Sequence, residues 1–121
     1  MHILIIEDEK KLSDIMCQFL KSERYSTDTA YDGEIGLEKA WKNKYDLILL
    51  DIMLPKKDGM MICKELQEKG IKTPIIMLTA RASAEDKNLG IRLGAKDYLV
   101  KPVGISELFA SIRNILKKKK E

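Results

Sequence analysis

Five side chains able to do chemistry stand directly behind short strand-like runs. Glu7 and Asp8 follow Ile3–Ile6, Asp51 follows Leu47–Leu50, Thr79 follows Ile75–Leu78, and Lys101 follows Asp97–Val100. Carboxylates gathered in one place repel one another and raise each other's pKa unless a cation neutralises them. With oxygen ligands only, and neither Cys nor His beside them, the favoured cation is a hard one, Mg²⁺ or Mn²⁺. A metal-held carboxylate beside a fixed ammonium and a hydroxyl suits the receipt of a phosphoryl group. The cations offset charge on the phosphoryl oxygens while the carboxylate attacks in line. Any one of these residues alone reads as a strand cap or a solvated loop residue. Together they mean something only if a fold brings these four strand ends to one edge.

The elements supply that fold. Short runs alternate with amphipathic segments five times. Ile3–Ile6, Ser26–Tyr31, Leu47–Leu50, Ile75–Leu78 and Asp97–Val100 read as strands, the second weakly. Between them, helical spacing links Leu12, Ile15, Met16, Phe19 and Leu20; then Leu37, Ala40 and Trp41; then Ile62, Cys63 and Leu66; then Leu89 and Leu93. Ile105, Leu108, Phe109, Ile112, Ile115 and Leu116 form a last stripe. Asp32-Gly33 and Asp58-Gly59 open helices, Gly70 and Gly94 close them, and Gly90 interrupts the fourth. Fully apolar central strands in a (βα)₅ alternation predict an α/β fold, a doubly wound five-stranded parallel sheet in the flavodoxin-like order 2-1-3-4-5. All strand C-termini then share one edge.

Composition narrows the function. The 121 residues are 45% hydrophobic, 34% charged and 6% aromatic, which predicts one globular domain over 1–121. No apolar run is long enough to span a bilayer, and the acidic turn after Ile6 does not fit a secretory leader. A soluble, cytoplasmic protein is expected. The net charge of +3 comes from a basic tail, Lys117–Lys120, followed by Glu121. The remaining body is balanced, which argues against direct nucleic-acid binding. The tail reads as a solvated helix end or the start of a linker. Cys17 and Cys63 lie apart with no CxxC, and His2 is the only histidine, so no zinc site or Cys/His pair can be assembled. Both thiols are expected to be buried and free.

Read together, Ile-Glu-Asp-Glu at 6–9, Asp-Ile-Met-Leu-Pro-Lys-Lys-Asp-Gly at 51–59, Leu-Thr-Ala-Arg at 78–81, Gly-Ala-Lys-Asp-Tyr at 94–98 and Lys-Pro at 101–102 resemble the receiver domain of bacterial two-component response regulators, a CheY-like fold. The resemblance covers essentially the whole chain. It implies a signalling switch rather than an enzyme, in which Asp51 accepts phosphate from a sensor histidine kinase. It implies that Asp8, Asp51 and the backbone carbonyl of Met53 hold Mg²⁺, with Glu7 acting through a metal-bound water. Lys101 would contact the phosphoryl group, Thr79 would be the switch hydroxyl and Tyr98 the switch aromatic. Lys101-Pro102 would be cis. Pro55 and Gly59 are turn residues that support the loop after Asp51. Met53 cannot orient a water and Arg81 could cover the phosphoryl group, so a phosphorylated lifetime of minutes or longer is expected.

The segment from Thr79 through Ser111 is most similar to the winged-helix (OmpR-type) transcription-factor subfamily. That resemblance implies a homodimer on phosphorylation, paired through Lys87, Asp97 and Glu107, with DNA bound only by a C-terminal effector domain absent from this chain. Ser111 stands where an arginine is usual and Lys96 where an acid is common, so a weaker dimer is expected. A stand-alone receiver acting by protein–protein contact is the alternative. A flavodoxin-like electron carrier is disfavoured because Glu7-Asp8-Glu9 would repel a phosphate. An aspartyl-phosphate hydrolase would place a second carboxylate where Met53 stands.

Overall fold

The computed structural model describes residues 1–120, with side chains through Lys117. Five strands and five helices alternate: β1 (His2–Ile6), α1 (Lys10–Ser22), β2 (Ser26–Ala30), α2 (Gly33–Lys42), β3 (Leu47–Leu50), α3 (Gly59–Glu68), β4 (Ile75–Thr79), α4 (Ala84–Arg92), β5 (Asp97–Val100) and α5 (Ile105–Lys120). The strands pair in parallel in the order β2-β1-β3-β4-β5, as the alternation predicts. The expected basic tail begins inside α5; Glu121 and the side chains of 118–121 lie outside the described residues.

Strand periodicity divides the core in two. Leu4, Ile6, Ile48, Leu50, Ile75 and Met77 point to the face covered by α2 and α3, where Ala40, Ile62, Cys63 and Leu66 pack. Their neighbours Ile3, Ile5, Leu47, Leu49, Ile76 and Leu78 point to the opposite face, under Met16 and Leu20 of α1 and Leu108, Phe109, Ile112 and Leu116 of α5. Two-sided burial explains why these strands are apolar at every position. Asp32, Asp58 and Ser83 accept the backbone N–H three residues on and so cap α2, α3 and α4.

Several residues on the expected apolar stripes prove to be exposed. Ile15, Phe19, Trp41, Leu89 and Ile105 lie at the outer margins of their helices, because one sheet face covers only part of each helix's circumference. Trp41 is instead covered by the Lys69 ammonium, 4.2 Å from its ring centroid. Cys63 is buried as expected, its thiol donating to the Leu93 carbonyl, but Cys17 is only half-buried. Ser13 of α1 is fully buried, and its hydroxyl finds no hydrogen-bond partner among the described residues.

Polar contacts hold the edge strand β2. Asp28 accepts from Lys39 Nζ at 3.0 Å and from the Tyr45 hydroxyl at 2.7 Å, and the His2 ring stacks on Tyr45 with centroids 5.0 Å apart.

Candidate functional site

Parallel pairing delivers the chemistry to one edge. Ile6 lies beside Leu50, and the Asp51 N–H donates to the Ile6 carbonyl at 3.0 Å, so Glu7 and Asp51 emerge side by side. Thr79 lies beside Val100, and the Lys101 N–H donates to the Thr79 carbonyl at 2.8 Å, which sets the lysine next in the row. The Lys101-Pro102 peptide is cis. The Lys101 ammonium donates to Asp51 Oδ2 at 3.0 Å and to Glu7 Oε1 in a closer contact. Carboxylate oxygens of Glu7, Asp8 and Asp51 lie within 4.8 Å of one another.

Burial divides the roles. Glu7 is 2% exposed and Asp51 7%, whereas Asp8 faces solvent. Burial pushes the Glu7 carboxyl above its ordinary range, opposed by the Lys101 hydrogen bond and by the Glu9 N–H. Burial alone would lower the Lys101 pKa, but hydrogen bonds to Glu7 and Asp51 outweigh it and raise the pKa. The lysine therefore stays charged between its two acids. One ammonium offsets one of three negative charges, and the donor set is all oxygen. That charge surplus on hard ligands fits a divalent cation.

The loop after Asp51 is built to bring backbone close. The Met53 N–H donates to Asp51 Oδ1 at 3.1 Å, so each oxygen of the Asp51 carboxylate has a fixed partner. The Gly59 N–H donates to the Ile52 carbonyl, and a Cβ at Gly59 would lie 2.4 Å from the Asp51 carbonyl oxygen. Only glycine permits that approach. Pro55 accepts from Gly33 N–H at 3.0 Å, which ties the loop to the start of α2. The Met53 side chain is 58% exposed and touches none of the acids by hydrogen bond.

Thr79 is buried at the end of β4, and its Oγ1 accepts the Arg81 N–H at 3.3 Å. Tyr98 is buried too, and its hydroxyl donates to the Arg81 carbonyl at 2.7 Å. Both expected switch residues therefore hold the backbone of one residue. Tyr98 also packs against α4. A Cβ at Gly90 would stand 2.9 Å from Met77 Sδ and 3.0 Å from Tyr98 Cδ2. The glycine that lowers α4's intrinsic helicity is what admits the ring.

Three residues sit differently from expectation or were missed. Arg81 does not reach over Asp51: its Nη2 lies 2.5 Å from Asp86 Oδ1. An exposed guanidinium takes the carboxylate beside it on the adjacent helix. Asp86 was missed at the sequence level, although Ser83-x-x-Asp86 is a helix-capping signature. On the expected dimer surface Lys87 and Glu107 are exposed, but Asp97 is engaged within its own chain. Its Oδ2 accepts the Ser111 hydroxyl at 2.5 Å and its Oδ1 the Tyr98 N–H at 2.8 Å.

Among the described residues no helix is long and apolar enough to cross a membrane. The profile of the response regulator receiver domain matches residues 3–113. The transcriptional regulatory protein DltR of Streptococcus agalactiae is 47% identical over 113 residues, covering 93% of this chain and 50% of that protein. The response regulator ArlR of Staphylococcus aureus is 47% identical over 116 residues, covering 96% and 52%. The chain thus spans about half the length of these curated relatives. Among solved structures, the receiver domain of the Francisella response regulator 1452 superposes with a TM-score of 0.94 at 34% identity, covering 98% of both chains.

Proposed function

The chain belongs to the response regulator receiver domain family, and from that premise we propose that it is a phosphorylation-controlled switch whose phosphoacceptor is Asp51. The observation that carries this reading is the Lys101 ammonium bridging Glu7 and Asp51, with the Asp8 carboxylate close by. An Asp51 oxygen attacks the phosphorus of a sensor kinase's phosphohistidine. The new P–O bond forms as the P–N bond breaks, and the imidazole nitrogen keeps the electron pair. Lys101 then moves its hydrogen bond from the carboxylate to the phosphoryl oxygens. Asp8, Asp51 and the Met53 carbonyl would hold Mg²⁺, with Glu7 acting through a metal-bound water, and the ion would supply charge neutralisation for the incoming phosphoryl group.

The signal leaves through Thr79 and Tyr98. A Thr79 hydroxyl drawn toward the phosphoryl group releases the Arg81 N–H, and Tyr98 is bonded to the carbonyl of that same residue. Both shifts bear on α4 and β5, where Gly90 is the one buried residue of α4 and Leu89 is exposed, so little apolar surface holds the helix down. The output is transcriptional, as the names of the longer relatives suggest, carried by a C-terminal effector domain that binds DNA. The domain acts in the cytoplasm beside its kinase. Phosphorylation favours a homodimer through Lys87, Asp97 and Glu107, and the internal Asp97–Ser111 bond makes it weak.

Intact-mass spectrometry after incubation with acetyl phosphate and Mg²⁺ tests the assignment. One phosphate mass is expected on the parent chain and none on Asp51→Asn. Unchanged labelling of the variant removes Asp51 from this role.

A further inference from the structure

Arg81 belongs to the site through its backbone and to α4 through its side chain. Its N–H and carbonyl hold Thr79 and Tyr98, while its guanidinium holds Asp86 in the first turn of α4. Asp86 does not need that guanidinium in order to cap the helix. Its Oδ2 accepts the Ser83 hydroxyl at 2.8 Å, and Ser83 Oγ in turn accepts the Asp86 N–H at 3.0 Å. The cap is complete without Arg81, so the ion pair has a separate consequence. It parks a long cation two residues past Thr79.

We propose that Asp86 is a positioning residue for Arg81, and that α4 and a phosphoryl group on Asp51 compete for this single guanidinium. The proposal rests on the reading of Asp51 given above. The Arg81 side chain is 43% exposed and that of Asp86 20%, so the pair is open to solvent on the guanidinium side and can exchange. A phosphoryl group carries nearly two negative charges and presents paired oxygens to the guanidinium fork, whereas Asp86 offers one oxygen end-on. Phosphorylation therefore draws Arg81 off Asp86 and over the phosphoryl oxygens. There it obstructs hydrolysis, in which a water oxygen bonds to phosphorus and the bond to Asp51 breaks. The electron pair returns to the Asp51 carboxylate, and the water's protons leave on inorganic phosphate and solvent.

The test follows the decay of the phosphate mass after acetyl phosphate is removed at fixed Mg²⁺. Asp86→Asn keeps an oxygen for the Ser83 hydroxyl but loses the charge, and should slow decay about two- to fivefold, the population shift a surface ion pair can hold back. Asp86→Glu should restore the parental rate. Arg81→Ala should decay faster than the parent, and adding Asp86→Asn to it should change nothing further. Ser83→Ala weakens the cap without removing the charge, and should leave decay unchanged. Parental decay in Asp86→Asn, an effect that persists in the Arg81→Ala background, or an equal effect from Ser83→Ala would each overturn the proposal. A parent chain that gains no phosphate fails the Asp51 reading itself, whereas a labelled chain indifferent to Asp86→Asn fails only the present inference.

Discussion

Gly90→Ala sets two known effects against each other at one atom. An alanine inside a helix is favoured over glycine by about 1 kcal/mol. The added Cβ would stand 2.9 Å from Met77 Sδ, 3.0 Å from Tyr98 Cδ2 and 3.2 Å from Tyr98 Cε2. Met77 is fully buried on β4, and Tyr98 is 3% exposed on β5, so neither can swing into solvent. The ring is also held at its far end, where retreat would stretch the 2.7 Å bond to the Arg81 carbonyl. Overpacking of a filled core costs about 1–3 kcal/mol, and burial of both neighbours, with Tyr98 also held at its hydroxyl, places this site in the upper part of that range. The net expectation is a loss of about 1–2 kcal/mol. For a domain of this size that lowers Tm by roughly 4–8 °C. Thermal unfolding followed by circular dichroism reads the shift, and urea titration should show a lower midpoint at unchanged slope. In a Tyr98→Ala background the same substitution should cost clearly less, because one of the two contacts is gone. A Tm that rises in the single variant would show that helicity dominates and that the close approach of Tyr98 does not select glycine.

Ser13→Ala removes a buried hydroxyl without a partner among the described residues and improves helicity, so it should add about 1 kcal/mol of stability in urea titration; a loss would mean that the hydroxyl is bonded. Burial would raise the Asp28 pKa, but hydrogen bonds from Tyr45 and Lys39 outweigh it and hold the carboxyl below its usual range. Its contribution is therefore present above the unfolded value of about 3.9 and lost as pH falls through the lower folded value. The Tm gap between the parent and Asp28→Asn should accordingly be constant near neutral pH and narrow as pH falls below the unfolded value; a gap that stays constant on acidification contradicts the assignment. Mg²⁺ should raise the parent's Tm in a concentration-dependent way, and Asp8→Asn should show little of that rise; a full response in the variant would point to other ligands. Sedimentation with beryllofluoride, a phosphoryl mimic, should show association of the parent only at high concentration, and a strictly monomeric activated chain would refute the dimer surface for the isolated domain.

The sequence was most legible where chemistry and period coincide. The apolar runs Ile3–Ile6, Leu47–Leu50 and Ile75–Leu78 became strands because both sheet faces are covered, and the residue after each fell on the common edge. The shared edge put Lys101 and Asp51 in one row, and the long lysine side chain spans the strand between them. Capping was legible too, since Asp32 and Asp58 act on backbone three residues away. What could not be read were contacts set by helix placement. Nothing local says that Tyr98 presses on Gly90, that Arg81 turns to Asp86, or that Ser111 reaches Asp97. Nor does a stripe of apolar residues reveal where the sheet stops covering it, which is why Ile15, Phe19 and Trp41 were expected inside.

The ion pair on β2 has a bearing on how concentrated this chain can become. A sheet with two open margins invites another chain to lay a strand alongside and begin an ordered aggregate. The strands best suited to that, Leu47–Leu50 and Ile75–Thr79, are locked in the interior. The margin at β2 offers Ser26, Thr27, Asp28 and Thr29, with Lys39 held against Asp28 at 3.0 Å. An incoming strand would have to strip water from that charged pair and would gain almost no apolar contact in return. Edge-to-edge polymerisation through β2 is disfavoured at the nucleation step, so Asp28 and Lys39 help keep the chain from fibrillising.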